Sequence, residues 1–97
     1  MVELHIERGA RGLTALLSRA LALDAQASAR IQEVGEGQLD VFVTTPFDAI
    51  ASRRTSGTTT HPGATVSARD LLDALKSGEA EVGPARDAAW PGALPPA

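Results

Sequence analysis

The apolar residues at the amino terminus follow two periods in succession. Over residues 2–7 they alternate with polar residues, which predicts a strand with one polar face. The period then changes to that of an amphipathic helix, predicted over residues 11–23. The apolar stripe of this helix consists of Leu13, Leu16, Leu17, Ala20 and Leu21. We expect Leu16, Leu17 and Leu21 to be among the most buried residues.

The middle of the chain has the pattern of a β-hairpin. Alternation predicts a weak strand over residues 28–34 and a stronger one over residues 38–44. Between them, Gly35-Glu36-Gly37 is predicted to form a turn, because glycine adopts positive φ without strain. Phe42 makes the second face of the later strand partly apolar, so this strand is predicted to lie centrally in a sheet.

Residues 45–65 allow more than one interpretation. Thr45-Pro46 resembles a helix N-cap followed by proline at the first helical position, which favours a short helix over residues 46–54. The alternative is a strand, because Phe47, Ala49 and Ala51 also alternate. Residues 55–65 are rich in Ser, Thr and Gly with no apolar anchor, and are predicted to form a mobile loop.

The clearest helix start lies at Ser67. Asp70 follows three residues later, as in a capping box, and Gly78 is placed to end the helix. A helix is therefore predicted over residues 67–77. Its buried stripe is predicted to be Leu71, Leu72 and Leu75.

These elements predict an α+β fold, with a small three- to four-stranded, mostly antiparallel sheet and two main helices packed on one face. Residues 1–78 are predicted to form a single domain, which suits a chain of 97 residues. Residues 79–97 contain four of the six prolines and have the composition of a Pro/Ala-rich tail or linker. Within it, Trp90 and Leu94 are the candidate interaction residues.

Composition and charge exclude several classes of function. Nine basic and twelve acidic side chains give a net charge of -3, whereas a nucleic-acid-binding domain usually has a basic surplus. The absence of cysteine excludes disulfides, thiolate zinc sites and a cysteine nucleophile. No apolar run reaches the ~18 residues of a membrane span. The acidic, alternating amino terminus does not fit a secretory signal, so a cytoplasmic location is expected.

The candidate ligand site is the junction between the first strand and the first helix. A helix N-terminus presents free N–H groups and partial positive charge, which suit an anion. Arginines could add charge-assisted hydrogen bonds if the relevant elements end on the same side of the sheet. The candidate residues are Arg8, Gly9, Arg11, Gly12, Arg53 and Arg54. A plain glycine turn is the favoured alternative, because the segment lacks the further glycines and Lys-Ser/Thr of nucleotide-binding loops.

Metal and catalytic sites receive little support. Glu3, His5 and Glu7 share one strand face, but ligands ~6.5 Å apart along a strand rarely converge on one ion. Two histidines in unrelated contexts do not define a Ser/His/Asp constellation. We therefore predict no metal, no cofactor and no catalytic residues, and an enzyme is the least favoured class.

Several segments resemble the N-terminal domain of a family of uncharacterised proteins from high-GC, actinobacterial-type bacteria. The resemblance is carried by residues 2–19, 41–47, 52–54 and 90–96. Trp90-Pro91-Gly92-Ala93-Leu94-Pro95-Pro96 resembles a connector into a second half, which this chain lacks. The resemblance implies a domain excised from a longer protein and transfers no activity.

The sequence leads to two functional hypotheses. The first is a non-catalytic interaction or regulatory module of a cytoplasmic bacterial protein, whose partner is another protein or a second copy of the chain. The alternative is a binding domain for an anionic, phosphate-bearing small molecule. Neither nucleic acid nor a membrane is an expected partner.

Overall fold

The described part of the chain forms a five-stranded antiparallel sheet and two helices. The computed structural model describes residues 2–45 and 50–85. In chain order the elements are β1 (Leu4–Arg8), α1 (Ala10–Leu23), β2 (Ser28–Gly35), β3 (Gln38–Thr44), β4 (Ile50–Thr59), β5 (Thr65–Ser67) and α2 (Ala68–Ser77). The strand order is β1-β4-β3-β2-β5, and every neighbouring pair is antiparallel. The α+β prediction is confirmed, but five strands replace the expected three or four.

Both helices and the hairpin lie where the sequence places them. Ser67 caps α2, since its Oγ accepts a hydrogen bond from the Asp70 N–H at 3.4 Å. Gly78 ends the helix with φ of 75°. In the β2–β3 hairpin, Gly37 takes the positive φ of 74° that the turn requires. Local signals therefore predicted these elements correctly.

The segment from Ile50 onward differs from the prediction. The expected helix over residues 46–54 is wrong from Ile50, which begins β4, and residues 46–49 lie outside the described residues. The expected loop over residues 55–65 is also wrong as far as Thr59. Thr55 and Gly57 are buried, and β4 is hydrogen-bonded between β1 and β3. Hydrogen bonds to a neighbouring strand on each side stabilise β4. The strand therefore forms without a regular alternation of apolar residues.

The core lies between the helices and one face of the sheet. The fully buried leucines of the helices are Leu13, Leu17 and Leu71. From the sheet they meet Ala29, Ile31, Leu39, Val41 and Val43. Leu16 and Leu21 are only partly buried, which corrects the expectation for them. The buried stripe of α1 is centred on Leu13, Leu17 and Ala20, because α2 packs beside α1 and fixes which side faces inward.

Residues 80–83, which by composition belong to the predicted tail, form backbone hydrogen bonds with Val2 and Leu4. The Val2 N–H donates to the Gly83 carbonyl at 2.9 Å, and the Val82 N–H donates to the Val2 carbonyl at 2.9 Å. The Leu4 N–H donates to the Ala80 carbonyl at 2.8 Å. Val82 is also part of the core. Residues 80–83 thus belong to the folded unit, while Trp90 and Leu94 lie outside the described residues.

The α2 cap provides a first test of the fold. We expect Ser67→Ala to lower the free energy of unfolding by about 1 kcal/mol, because the Asp70 N–H loses its acceptor. Ser77→Ala, at the exposed end of the same helix, serves as the control. Urea denaturation measures both. Equal effects of the two substitutions would contradict a capping role for Ser67.

Candidate functional site

The N-terminus of α1 has no side-chain cap. Gly9 is the N-cap residue with φ of 92°, and the first helical turn contains no acidic residue. The first helical hydrogen bond runs from the Leu13 N–H to the Gly9 carbonyl at 3.0 Å. The amides of residues 10–12 therefore precede the hydrogen-bond ladder, as at any helix start. This end of the helix combines free donors with the positive end of the helix dipole.

The fold brings a third arginine to this helix start. Arg53 packs against Gly12, where an added Cβ would lie 3.3 Å from the guanidinium Cζ. Arg8, directly before Gly9, and Arg11, in the first turn of α1, are exposed. Within residues 2–45 and 50–85, neither these two arginines nor Arg53 forms an ion pair. Of the two arginines of β4, Arg53 is the one that lies at this helix start.

Arg54 lies on the opposite face of the sheet, because successive strand residues point to opposite faces. Its Nε donates to Asp40 Oδ1 at 2.7 Å, and its Nη2 donates to Asp40 Oδ2 at 2.9 Å. These hydrogen bonds lower the pKa of Asp40 below its ordinary value, whereas partial burial acts in the opposite direction. The structure therefore separates Arg54 from Arg53 and from the N-terminus of α1.

The Asp40–Arg54 pair predicts a pH dependence of stability. Because the folded state lowers the pKa of Asp40, the pair stabilises the fold above the unfolded carboxyl pKa of ~3.9. This contribution is lost as pH falls through the lower, folded pKa. We expect Asp40→Asn to flatten the fall in unfolding free energy below about pH 4. Urea denaturation across acidic pH measures this slope, with Asp73→Asn on the exposed side of α2 as control. An unchanged slope in Asp40→Asn would refute the effect.

The second candidate region is the helix-free face, defined as the side of the sheet opposite α1 and α2. Strand alternation and register place the following residues on it: His5, Arg30, Gln32, Asp40, Phe42, Ile50, Ser52, Arg54, Ser56, Thr58 and Thr65. Burial changes across this face. Ser52 and Thr58 of β4 are exposed, whereas Arg30 of β2 and Thr65 of β5 are buried.

The buried part of the helix-free face contains unsatisfied polar atoms. Arg30 is only 8% exposed, and its Nη1 donates to Thr65 Oγ1 at 3.4 Å. Neither its Nε nor the Oε1 of Gln32 has a hydrogen-bond partner in the part of the chain that the structure describes. Gly63, with φ of 83°, passes so close that an added Cβ would lie 3.3 Å from Nη2. Arg30 forms no ion pair with any described residue, although most buried charges in proteins are paired.

A third region is an acidic groove between α2 and residues 79–84, with a volume of about 280 Å³. Its carboxylates come from Asp70, Asp73, Glu79 and Glu81. Over the described ranges, no three carboxylate or imidazole side chains are grouped as a metal would require. Glu3, His5 and Glu7 are all exposed.

A family model for a domain of unknown function, DUF8010, matches residues 1–92. The chain belongs to the DUF8010 family. No curated protein and no solved structure matches it. The DUF8010 match confirms the resemblance to a family of unknown function. That the domain is the N-terminal part of longer proteins, and that these come from high-GC bacteria, stay predictions. Among the described residues, no helix of this DUF8010 chain is both long and apolar enough to cross a membrane.

Sequence reasoning missed Arg30 and Gln32 of this DUF8010 domain. The sequence pattern that could have identified them is their alternation with Ala29 and Ile31. This alternation places Arg30 on the second face of β2, which pairs with the central strand β3. Arg30 packs against Gly63 in the turn before β5, a segment predicted from sequence to be a mobile loop. The role of Trp90 and Leu94 stays a prediction.

Proposed function

We propose that this DUF8010 domain is a non-catalytic interaction module of a cytoplasmic bacterial protein and binds a protein partner through its helix-free face. The observation that carries the proposal is the packing of both described helices on one side of the sheet. The other side presents Ile50, which is 45% exposed, and the half-buried Phe42. Exposed apolar side chains among polar ones are typical of protein-binding surfaces.

Charge and residue content support a protein partner over other ligands. The net charge of -3 disfavours nucleic acid, because phosphate neutralisation needs a basic surplus. The two histidines lie in different contexts, on β1 and in the turn before β5, which gives little support to acid–base catalysis. An interaction role needs neither feature.

Site-specific photocrosslinking in the native host tests this proposal. A photoreactive amino acid replaces Ser52, which is exposed on the helix-free face, or Ala22, which is exposed on α1. We expect a discrete protein adduct from position 52 and none from position 22. An adduct of twice the 10.0 kDa chain mass would identify the partner as a second copy. No adduct from position 52, or equal adducts from both positions, would refute the proposal.

A second candidate function is binding of a phosphate-bearing small molecule at the N-terminus of α1. The observation that favours it is the guanidinium of Arg53 against Gly12, in a segment whose sequence also contains the exposed Arg8 and Arg11. Three arginines and free helix amides offer a phosphate several charge-assisted hydrogen bonds. After desolvation and screening, we expect dissociation constants of roughly micromolar to millimolar.

A phosphate and nucleotide titration monitored by backbone NMR at low salt tests this second candidate. We expect shifts concentrated at the amides of Gly9, Ala10 and Gly12 in the wild type. They should disappear in the Arg8→Ala/Arg11→Ala double variant. Arg54→Ala is the control, because Arg54 lies on the other face and its loss should leave the shifts intact. No shift at millimolar ligand would show the segment to be a plain turn.

A further inference from the structure

The guanidinium of Arg30 is buried, and no described residue supplies it with a counter-charge. The side chain is 8% exposed, and its Nη1 donates a hydrogen bond to Thr65 Oγ1 at 3.4 Å. Its Nε has no hydrogen-bond partner among the described residues. A buried cation loses its hydration and must regain that energy from an anion or from several acceptors. Neither is supplied to Arg30 by residues 2–45 and 50–85.

The nearest carboxylate in register is engaged elsewhere. Arg30 lies opposite Phe42 on β3, and Gln32 lies opposite Asp40. Both oxygens of Asp40 accept hydrogen bonds from Arg54 on β4, on the far side from β2. The carboxylate is thus drawn away from Arg30. A neutral side chain of similar size would serve the fold at least as well, so the fold alone does not account for a cation here.

Gln32 gives a second, independent indication of a ligand. Its Oε1 is a buried acceptor that receives no hydrogen bond from residues 2–45 or 50–85, and unsatisfied buried polar atoms are rare in folded proteins. Gln32 and Arg30 are two residues apart on one face of β2, which spaces them by ~6.5 Å. This is the spacing of alternate residues in any extended chain. The two orphan atoms therefore complement an extended segment that carries an acceptor and, two residues away, a donor.

We propose that Arg30 and Gln32 bind an acidic segment of the partner protein, with a glutamate or aspartate carboxylate on Arg30 and an amide donor on Gln32. The inference rests on the proposed function and specifies the chemistry of the partner. Arg54 shows how a guanidinium of this sheet holds a carboxylate, through Nε and Nη2 together. In Arg30, Thr65 occupies Nη1 and leaves the Nε and Nη2 edge for the partner.

Access to this edge involves the turn at residues 61–64. Gly63 lies over Nη2 of Arg30, and its N–H donates to the Ile31 carbonyl at 2.6 Å. The Ile31 N–H donates to the Ala64 carbonyl at 3.0 Å. Because Nε is shielded in the free domain, binding must shift this turn. The amides of Gly63 and Ala64 therefore report binding together with those of β2.

NMR titration of the full chain with a synthetic peptide tests the inference. The peptide alternates serine with glutamate and glutamine, so that carboxylate and amide recur two residues apart. A control peptide has glutamine in place of every glutamate. We expect shifts at residues 30–32 and 63–65 with the acidic peptide, and at least tenfold weaker binding with the control. No shift, or equal binding of both peptides, would overturn the inference. Shifts confined to residues 9–12 would also overturn it, since they would show general attraction to the α1 arginines.

Variants separate recognition from structural support. Arg30→Met should abolish the shifts while keeping or raising the thermal unfolding midpoint. Arg19→Met, which removes an exposed arginine of α1, should bind like the wild type. A lowered midpoint in Arg30→Met would assign Arg30 a structural role and overturn the inference. Gln32→Leu, as a second variant, should weaken binding at least threefold with the fold intact, and unchanged binding would count against the paired site.

Different outcomes would refute the interface on the helix-free face and the acidic-segment site at Arg30 and Gln32. If crosslinking from position 52 succeeds while the acidic peptide does not bind, the helix-free face is an interface but Arg30 is not its anchor. If crosslinking fails and the peptide still binds at β2, the acidic site stands and the proposed in vivo partner on that face does not.

Discussion

Gly57→Ala is expected to lower the free energy of unfolding by about 3 kcal/mol or more. This is at or above the upper end of the range observed when extra methyl groups are forced into a packed core. Gly57 lies on β4 opposite Ile6 of β1. An added Cβ would overlap the carbonyl oxygen of His5 and lie 3.0 Å from the Ile6 Cα. These atoms belong to the backbone of the paired strand, so no side-chain rotation relieves the overlap. β1 must separate from β4 to accommodate the methyl group.

Gly35→Ala is the matched control for this prediction. Gly35 is also a strand glycine, but the nearest atom to an added Cβ is 3.9 Å away, on the Gln38 side chain. We expect the control to change stability by less than about 1 kcal/mol. Chemical denaturation of both variants gives the comparison. If Gly57→Ala matches Gly35→Ala, the close approach of β1 to β4 is wrong.

Leu17→Ala is the second large effect. Leu17 is fully buried at the centre of the α1 stripe, against a core that includes Val41 and Val43. Truncation removes buried methyl groups and leaves a cavity, which costs about 2–5 kcal/mol in such positions. That is a large share of the ~5–15 kcal/mol that stabilises a typical domain. We expect a clear fall in the urea midpoint.

Two leucines of the same helix serve as internal controls. Leu16 is only partly buried, so Leu16→Ala should cost less than Leu17→Ala. Leu23 is 59% exposed at the end of α1, and Leu23→Ala should stay within about 0.5 kcal/mol of the wild type. If Leu16→Ala and Leu17→Ala lower the free energy of unfolding equally, the buried stripe predicted from sequence alone would be the correct one.

The elements that sequence predicts well are those that local interactions determine. α2 has a cap at Ser67, a leucine stripe and Gly78 at its end, and it folds as these signals indicate. The β2–β3 hairpin likewise has its turn at Gly37. In both, the deciding contacts lie within a few residues along the chain, where propensity and spacing operate.

β4 is a strand that local sequence patterns do not predict. Its inward positions include Thr55 and Gly57, which are small or polar and carry no apolar alternation. What makes the segment a strand is pairing with β1, some fifty residues earlier, and with β3. The candidate sites depend on the same long-range pairing, since it brings Arg53 to Gly12 and Arg54 to Asp40. Sequence identified these arginines but not their partition between two faces.

The backbone hydrogen bonds between residues 80–83 and the amino-terminal residues 2–4 affect the order of folding. The pairing of β2 with β3 joins residues that are close in sequence and can form early, since hairpins form in ~1–10 μs. β1 gains its two neighbours only when β4 and then residues 80–83 are available. On the ribosome, the first strand of this domain to be synthesised is therefore the last to be enclosed. Until Val82 has emerged, we expect the amides of Val2 and Leu4 to exchange hydrogen freely.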